Sequence, residues 1–286
     1  MTFSAWLGQY LRLYGRDLAD KTIESYTRLQ GLMSPILGDV ALAAITPDLI
    51  QAALIHVQDQ AGSRQAQLAY ALVHAALVRA VKSRHIPWNP CDAVDKPHHE
   101  QIKGRAITAA HWQLLSPLID EDVALALMGR AGLRRGEVLA LRWGDVDLAA
   151  RQIKVARQLV RVGGQLKEQP PKSAAGVRCV PIEEPLAAVL RRAFVLSPAL
   201  RVVRCSPETL ARRWTRLQLE AGIPQPYRLH DLRHTYATRL VAAGYNLRIL
   251  QYTIGHSSME LTAQTYTHIT PEHAVNELDR ISAALH

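Results

Sequence analysis

A chain of 286 residues is longer than most single domains, so we expect two domains rather than one. Apolar residues make up 48% of the chain, enough for packed cores, and the formal charge is +9. A basic balance favours a polyanionic partner such as nucleic acid, although a basic protein without such a partner would have the same composition. The excess lies in residues 96–286, which hold 26 Lys and Arg against 17 Asp and Glu, whereas residues 1–95 hold eight of each.

The composition also argues against several other classes of protein. The three cysteines are widely spaced and form no C-x-x-C pair, which disfavours a structural zinc site. The first ten residues lack the pattern of a signal peptide, and no apolar run reaches the roughly 18 residues of a membrane span. We therefore expect a cytoplasmic protein with no membrane partner.

Hydrophobic spacing divides the chain into two predicted domains. Residues 1–96 predict a helical domain, residues 97–107 a linker, and residues 108–286 a mainly helical domain with a small sheet. The linker lies in a polar stretch that contains three prolines and few apolar residues. Such a stretch is typical of a connection between two cores.

In the first domain, apolar residues at helical spacing predict a helix over 64–84. A helix over 21–33 is predicted with Asp20 as its N-cap, and the proline and glycine in 35–38 are expected to end it. The pattern Thr-Pro-Asp at 46–48 predicts a further helix with proline at its first position.

In the second domain, runs of β-branched residues between 151 and 182 predict short strands, with a hairpin turn at Gly163-Gly164. A helix over 120–131 is predicted to end at Gly132. The other predicted helices are 109–115, 185–196, 207–221, 230–243, 247–254, 258–268 and a tail helix over 271–285.

Four short segments of the second domain carry charged or nucleophilic side chains. His230 and Arg233 are three residues apart, on one face of a predicted helix near its N-terminus, where the helix dipole favours a phosphate. Arg134 follows the turn at Gly132, and Glu137 is placed to orient its guanidinium. Each pattern by itself is also typical of a solvated helix face or a surface salt bridge.

The other two segments present a histidine, a tyrosine and a lysine. Gly255 and the capping pattern Ser-x-x-Glu at 257–260 place His256 in a tight turn between helices, and Tyr266 follows ten residues later. Lys172 lies at a hairpin connection before a strand. Most tyrosines are half-buried structural residues and most hairpin lysines are solvated, so neither residue decides a function alone.

Taken together, the order and spacing of these segments resemble the tyrosine recombinase, or phage integrase, family. The resemblance covers the second domain and extends more weakly to residues 3–95. The hairpin varies most in length, so Lys167 is the alternative to Lys172. The matching residues are Arg134 in Gly-Leu-Arg-x-x-Glu, Lys172 before Val-Pro-Ile, His230 and Arg233 in His-x-x-Arg, His256 in Gly-His-Ser, and the nucleophile Tyr266.

The resemblance implies a mainly α fold with a small antiparallel β-sheet, made of a helical core-binding domain and an α+β catalytic domain. It also implies that Tyr266 attacks a DNA phosphate, giving a 3′-phosphotyrosyl link and a free 5′-hydroxyl. No metal, ATP or other cofactor is expected. The implied partners are double-stranded DNA and three further copies of the chain, which form a tetramer on two DNA sites. Accessory DNA-bending proteins are further candidate partners.

The family pattern assigns a role to each of the other matching residues. Arg134 and Arg233 would hold the non-bridging phosphate oxygens, for which a planar guanidinium suits better than an ammonium. Lys172 would protonate the leaving 5′-oxygen. His230 would act as a base or a phosphate donor, and His256 would donate a hydrogen bond to the phosphate. Glu137 would support Arg134.

Some expectations concern the remainder of the chain. In the first domain Arg79, Lys82 and Arg84, together with His74, are candidates for DNA contact, and a solvated helix face is an equal alternative. The tail helix is expected to pack on a neighbouring protomer or on its own domain. No arm-binding domain is expected before residue 3. The alternatives to a recombinase are a DNA-binding relative that does not cut and a topoisomerase-like strand-passing enzyme.

Overall fold

The structure is a computed structural model. The part of the chain that it describes comprises residues 1–100, 104–171, 174–196 and 200–255. The chain divides into two compact units, one with residues 1–102 and 161–165 and the other with the remaining residues. Within the described ranges, no helix is both long and apolar enough to cross a membrane.

The first unit is built from α-helices around a core of its own. Thr46 caps the third helix by accepting a hydrogen bond from the Leu49 amide, and Pro47 is its first residue, as the sequence predicts. Asp20 is the first residue of the second helix, and its N-cap is Ala19 rather than the predicted Asp20. The helices are α1 (Phe3–Tyr14), α2 (Asp20–Leu37), α3 (Pro47–Ala61) and α4 (Ser63–Lys82).

The second unit is mainly helical and has a separate core. Gly132 adopts the left-handed conformation, with φ 62°, and ends the helix before it, as predicted. The short helix that follows Gly132 was not predicted from the sequence. The helices are α5 (Ala109–Ile119), α6 (Val123–Ala131), α7 (Arg135–Ala140), α8 (Glu184–Leu196), α9 (Pro207–Glu220), α10 (Asp231–Ala242) and α11 (Leu247–Ile254).

Short strands lie in the region where the sequence predicts them. Three of them pair in the antiparallel order β1-β2-β5, and β3 and β4 form a separate hairpin. Its turn is Gly163-Gly164, at φ values of 57° and 77° that suit glycine. The strands are β1 (Val146–Asp147), β2 (Gln152–Val155), β3 (Gln158–Val162), β4 (Gln165–Gln169) and β5 (Arg178–Pro181).

Two helices continue through a proline that should disfavour them. Pro35 was expected to help end α2, but the helix continues to Leu37, and α5 likewise runs past Pro117 to Ile119. Leu37 and Ile119 are both fully buried. Packing of these side chains in the core therefore keeps the last turn helical against the local cost of the proline.

The second unit begins within the stretch 97–107 that the sequence assigns to a linker. The Arg105 amide donates to Asp231 Oδ1 at 3.4 Å, and the Ile107 amide donates to Thr235 Oγ1 at 2.8 Å. Ile107 is buried in the second core. The chain is therefore tied to α10 before α5 begins. The helices predicted over 258–268 and 271–285 lie outside the described residues.

Candidate active site

The turn after α6 positions the first arginine of the site. Gly132 has a positive φ, and a Cβ placed there would lie 2.4 Å from Cδ1 of Tyr236. Backbone conformation and space therefore both require glycine at this position. The turn makes Arg134 the N-cap residue of α7, so its side chain leaves the backbone at a helix N-terminus.

Arg134 is oriented by an acid and by a backbone carbonyl. Its Nη1 donates to Glu137 Oε1 at 2.8 Å, as the sequence predicts, and its backbone amide donates to Oε2 at the same distance. Its Nη2 donates to the Gly255 carbonyl at 2.7 Å. The side chain is 35% exposed. These contacts use two of the five guanidinium N–H groups, so an accessible part of the cation faces solvent.

Glu137 has a second partner that sequence reasoning missed. Arg178 on β5 donates to both carboxylate oxygens, at 3.0 and 2.9 Å, and its Nε donates to the Thr253 carbonyl at 2.7 Å. Burial alone would raise the pKa of Glu137, but the hydrogen bonds and charges of Arg178 and Arg134 outweigh it and lower that pKa. The signal in the sequence is the strand alternation, which puts Arg178 on the same buried face as Val180.

The first turn of α10 supplies the second arginine and a histidine. Arg233 is buried, and its Nη1 donates to the Gly132 carbonyl at 2.6 Å while its Nη2 donates to the Ile254 carbonyl. His230 is the N-cap residue of the helix and is exposed to solvent. Its ring is nevertheless crowded by its neighbours, and this desolvation, together with the charges of Arg233 and Arg134, lowers its pKa. Since the ordinary value is about 6.5, a lowered pKa favours the neutral imidazole at pH 7.

Arg134 and His230 lie on the wall of one cavity. The cavity has a volume of about 390 Å³. Arg135, the first residue of α7, also lines it, is exposed, and forms no ion pair with any described residue. Two cations and an imidazole therefore face one space. The lining residues are Met128, Arg134, Arg135, Gly136, Leu229 and His230.

Three of the six predicted catalytic residues lie outside the described residues, namely Lys172, His256 and Tyr266. The alternative hairpin lysine, Lys167, is exposed on β4. Its neighbour Glu168 accepts from Arg142 at 3.0 Å. Because successive side chains of a strand point to opposite faces, Lys167 projects away from this pair. Among the described residues, no group of three His, Cys, Asp or Glu is arranged to hold a metal ion.

The predicted DNA contacts of the first unit lie at the end of α4. Arg79 and Lys82 are both exposed in its last turn, and Arg84 follows the helix with a φ of 60°. None of the three forms an ion pair within the described ranges, although the Arg79 guanidinium lies 4.7 Å from the centre of the Tyr14 ring. His74 differs, because its Nε2 is 3.0 Å from Asp92 Oδ1.

The sequence profile of the phage integrase family matches residues 105–273, which include all six predicted catalytic residues. The chain belongs to the phage integrase family of tyrosine recombinases. It is 29% identical over 183 residues to a XerC-like tyrosine recombinase of Caldanaerobacter subterraneus, covering 53% of this chain and 46% of that protein. It is 27% identical over 272 residues to the integrase of Mycobacterium phage L5, covering 88% of this chain and 72% of that protein.

Solved structures agree with this family assignment at the level of the fold. The Tn1549 transposon integrase in complex with transposon right end DNA superposes with a TM-score of 0.80 at 23% identity, over 99% of this chain and 100% of that one. A lambda integrase tetramer bound to a Holliday junction superposes with a TM-score of 0.69 at 20% identity, over 93% of this chain and 77% of that one. The predicted architecture, mainly helical with a small antiparallel sheet, is therefore confirmed for this phage integrase family member.

Proposed function

We propose that this chain is a site-specific DNA recombinase that cuts and rejoins DNA through a covalent bond to Tyr266. The observation that carries the proposal is the arrangement of Arg134 and His230 on one cavity wall. Arg233 donates to the carbonyl of Gly132, in the turn before Arg134, and to the carbonyl of Ile254 at the end of α11. Cations that face a cavity at a helix N-terminus form a site for a phosphate. The match to the phage integrase family supports the choice of a DNA phosphodiester as that phosphate.

In the proposed reaction, the Tyr266 oxygen attacks the scissile phosphorus and the bond from phosphorus to the 5′-oxygen breaks. The tyrosine proton passes to a base, for which neutral His230 is suited, and Lys172 protonates the departing 5′-oxygen. Arg134, Arg233 and His256 would stabilise the charge that grows on the phosphate oxygens. The 5′-hydroxyl of another strand reverses these steps. The phosphodiester energy is kept in the covalent link, so no ATP is consumed.

A tetramer on two DNA duplexes is part of the proposal, because exchange of two duplexes breaks four strands. The lambda integrase tetramer on a Holliday junction supports it. The expected cytoplasmic location also belongs to the proposal, since the enzyme must reach its DNA. The helix predicted over 271–285 and accessory DNA-bending proteins are further candidate contributors to this assembly.

The decisive experiment uses a nicked suicide substrate, which traps a covalent adduct because the strand end needed for ligation diffuses away. An adduct to Tyr266 supports cutting, whereas binding without an adduct would identify a DNA-binding relative. Four-way junctions formed from two duplexes distinguish recombination from topoisomerase-like strand passage, which would relax supercoiled DNA without forming them.

A further inference from the structure

The C-terminal end of α11 is held by arginines from three separate parts of the second unit. Arg178 Nε donates to the Thr253 carbonyl at 2.7 Å, Arg233 Nη2 donates to the Ile254 carbonyl, and Arg134 Nη2 donates to the Gly255 carbonyl at 2.7 Å. Three consecutive carbonyls thus each accept from a different guanidinium. The last carbonyls of a helix lack partners within the helix and carry its negative end, so cations are suited to this position.

Arg178 differs from the other two arginines in what it can reach. Its side chain is fully buried, and four of its five N–H donors are used within the protein. Two of these bonds go to Glu137, and the others go to the carbonyls of Thr253 and Gly176. Arg178 therefore cannot bind DNA directly, and any effect on the reaction must act through the residues it holds.

The contacts of Arg178 link two elements that carry predicted site residues. One is α7, through Glu137, which also fixes the Arg134 guanidinium. The other is the end of α11, where His256 follows Gly255 directly in the sequence. Gly255 has a φ of 65°, and a Cβ placed there would lie 3.1 Å from Arg178 Cδ and 3.0 Å from the Ala175 carbonyl oxygen. A side chain at this position would therefore press on Arg178 and would also require a left-handed backbone, which favours glycine.

We propose that Arg178 is a positioning residue for strand cleavage, which sets the end of α11 relative to Arg134. The inference rests on the proposed function. A displacement of about 1 Å between reacting groups lowers a rate by roughly 10²-fold, so a shorter side chain at this position slows cleavage without weakening DNA binding. The competing explanation is an ion pair that contributes only to stability.

The matched control is Arg130, another arginine of the second unit in a bidentate pair with an acid. Its Nε and Nη2 donate to the two oxygens of Asp120 at 2.6 and 2.7 Å, and its side chain is 11% exposed. Its hydrogen bonds to described residues do not involve the end of α11. Arg130→Lys and Arg178→Lys both remove a guanidinium fork and keep the charge.

The first readout is hydrogen–deuterium exchange of peptides covering 247–255 in the DNA-free protein. We expect faster exchange in Arg178→Lys and wild-type exchange in Arg130→Lys. The second readout is the rate of adduct formation on a nicked suicide substrate. Arg178→Lys should form adduct at least 10-fold more slowly, with a Kd for DNA within about twofold of wild type, as follows from a geometric defect. Arg130→Lys should cleave at the wild-type rate, even if its thermal unfolding midpoint falls as far as that of Arg178→Lys.

Equal exchange and equal cleavage in the two variants would overturn the inference. If wild-type protein forms no adduct, the proposed function fails, while the exchange experiment still tests whether Arg178 holds α11. If Arg178→Lys does not fold, Gly255→Ala disturbs the same contact from the other side. Slow cleavage with normal DNA affinity in folded Gly255→Ala supports the inference, and wild-type cleavage contradicts it.

Discussion

The Arg178 guanidinium and the Glu137 carboxylate form a bidentate pair at 3.0 and 2.9 Å, with at most 2% of either side chain exposed. Glu137 also accepts two hydrogen bonds from Arg134, one from Nη1 and one from the backbone amide. Its four acceptor positions are therefore all used. A buried carboxylate of this kind stabilises the fold only while all its partners are present, because loss of one partner leaves a charge buried without compensation.

The first prediction concerns pH and stability. The pKa of Glu137 is lowered in the folded protein, so its contribution is present above the unfolded value of about 4.3 and is lost as pH falls through the folded value. Glu137→Gln should therefore be less stable than wild type by about 3 kcal/mol at pH 7, and the difference should shrink below pH 4. Urea unfolding from pH 7 to pH 3 measures it. The control is Glu121→Gln, at an exposed position. If the stability difference between Glu137→Gln and wild type does not vary with pH, Glu137 does not have the lowered pKa.

The second prediction concerns His230. Desolvation and the neighbouring arginine charges lower its pKa, so the imidazole of the free protein should titrate below the ordinary 6.5. Histidine ring resonances in NMR, assigned by their loss in His230→Gln, report this directly. A DNA phosphate bound beside the ring should shift the titration upward, because an anion favours the imidazolium. Titration at or above 6.5 without DNA would remove the argument for His230 as a neutral base.

How much the sequence predicts depends on how far apart the partners lie along the chain. Gly132 and the pairing of Arg134 with Glu137 are predicted correctly, because helix-capping and i,i+3 rules act within a few residues. Arg178 was missed because its partner Glu137 is 41 residues away and is brought to it only by the fold. Buried Leu37 shows the same limit, since core packing rather than local preference carries α2 past Pro35.

The third prediction separates DNA contact from a solvated helix face at the end of α4. Each phosphate-binding side chain that is removed should reduce the slope of log K against log salt by about 0.9. The Arg79→Gln, Lys82→Gln double variant should then bind more weakly and with a slope shallower by up to about 1.8. Binding isotherms between about 50 and 200 mM salt measure both. The control is Lys21→Gln, an exposed residue paired with Glu24. If the double variant has the same affinity and salt slope as Lys21→Gln, the end of α4 is a solvated helix face and not a DNA contact.

The fourth prediction concerns metals. The proposed charge stabilisation comes from Arg134, Arg233 and His256, so no divalent ion is required. Cleavage of a suicide substrate should keep its wild-type rate in EDTA. A nuclease that depends on Mg²⁺, assayed in the same buffer, confirms that the chelator is effective. Loss of adduct in EDTA with recovery on addition of Mg²⁺ would contradict the mechanism.

The last prediction concerns the nucleophile. Tyr266→Phe keeps the ring and removes the oxygen that attacks, so the variant should fold and bind DNA as wild type does yet form no covalent adduct. Arg134→Ala should differ, because it keeps the nucleophile and loses one donor to the developing charge. By analogy with oxyanion holes it should form adduct about 10²–10³-fold more slowly. A denaturing gel with a nicked, labelled substrate shows the adduct as a band that a protease removes.

Two other tyrosines near the site are internal controls for this assignment. Burial raises the pKa of Tyr236, whose ring packs against Gly132, so its hydroxyl stays protonated and is a poor nucleophile. The hydroxyl of Tyr252 instead accepts a hydrogen bond from the Cys179 amide at 3.2 Å. Phenylalanine at either position should leave the adduct band in place. If Tyr266→Phe still gives that band, or if the DNA-linked peptide contains Tyr236 or Tyr252, the nucleophile is not Tyr266.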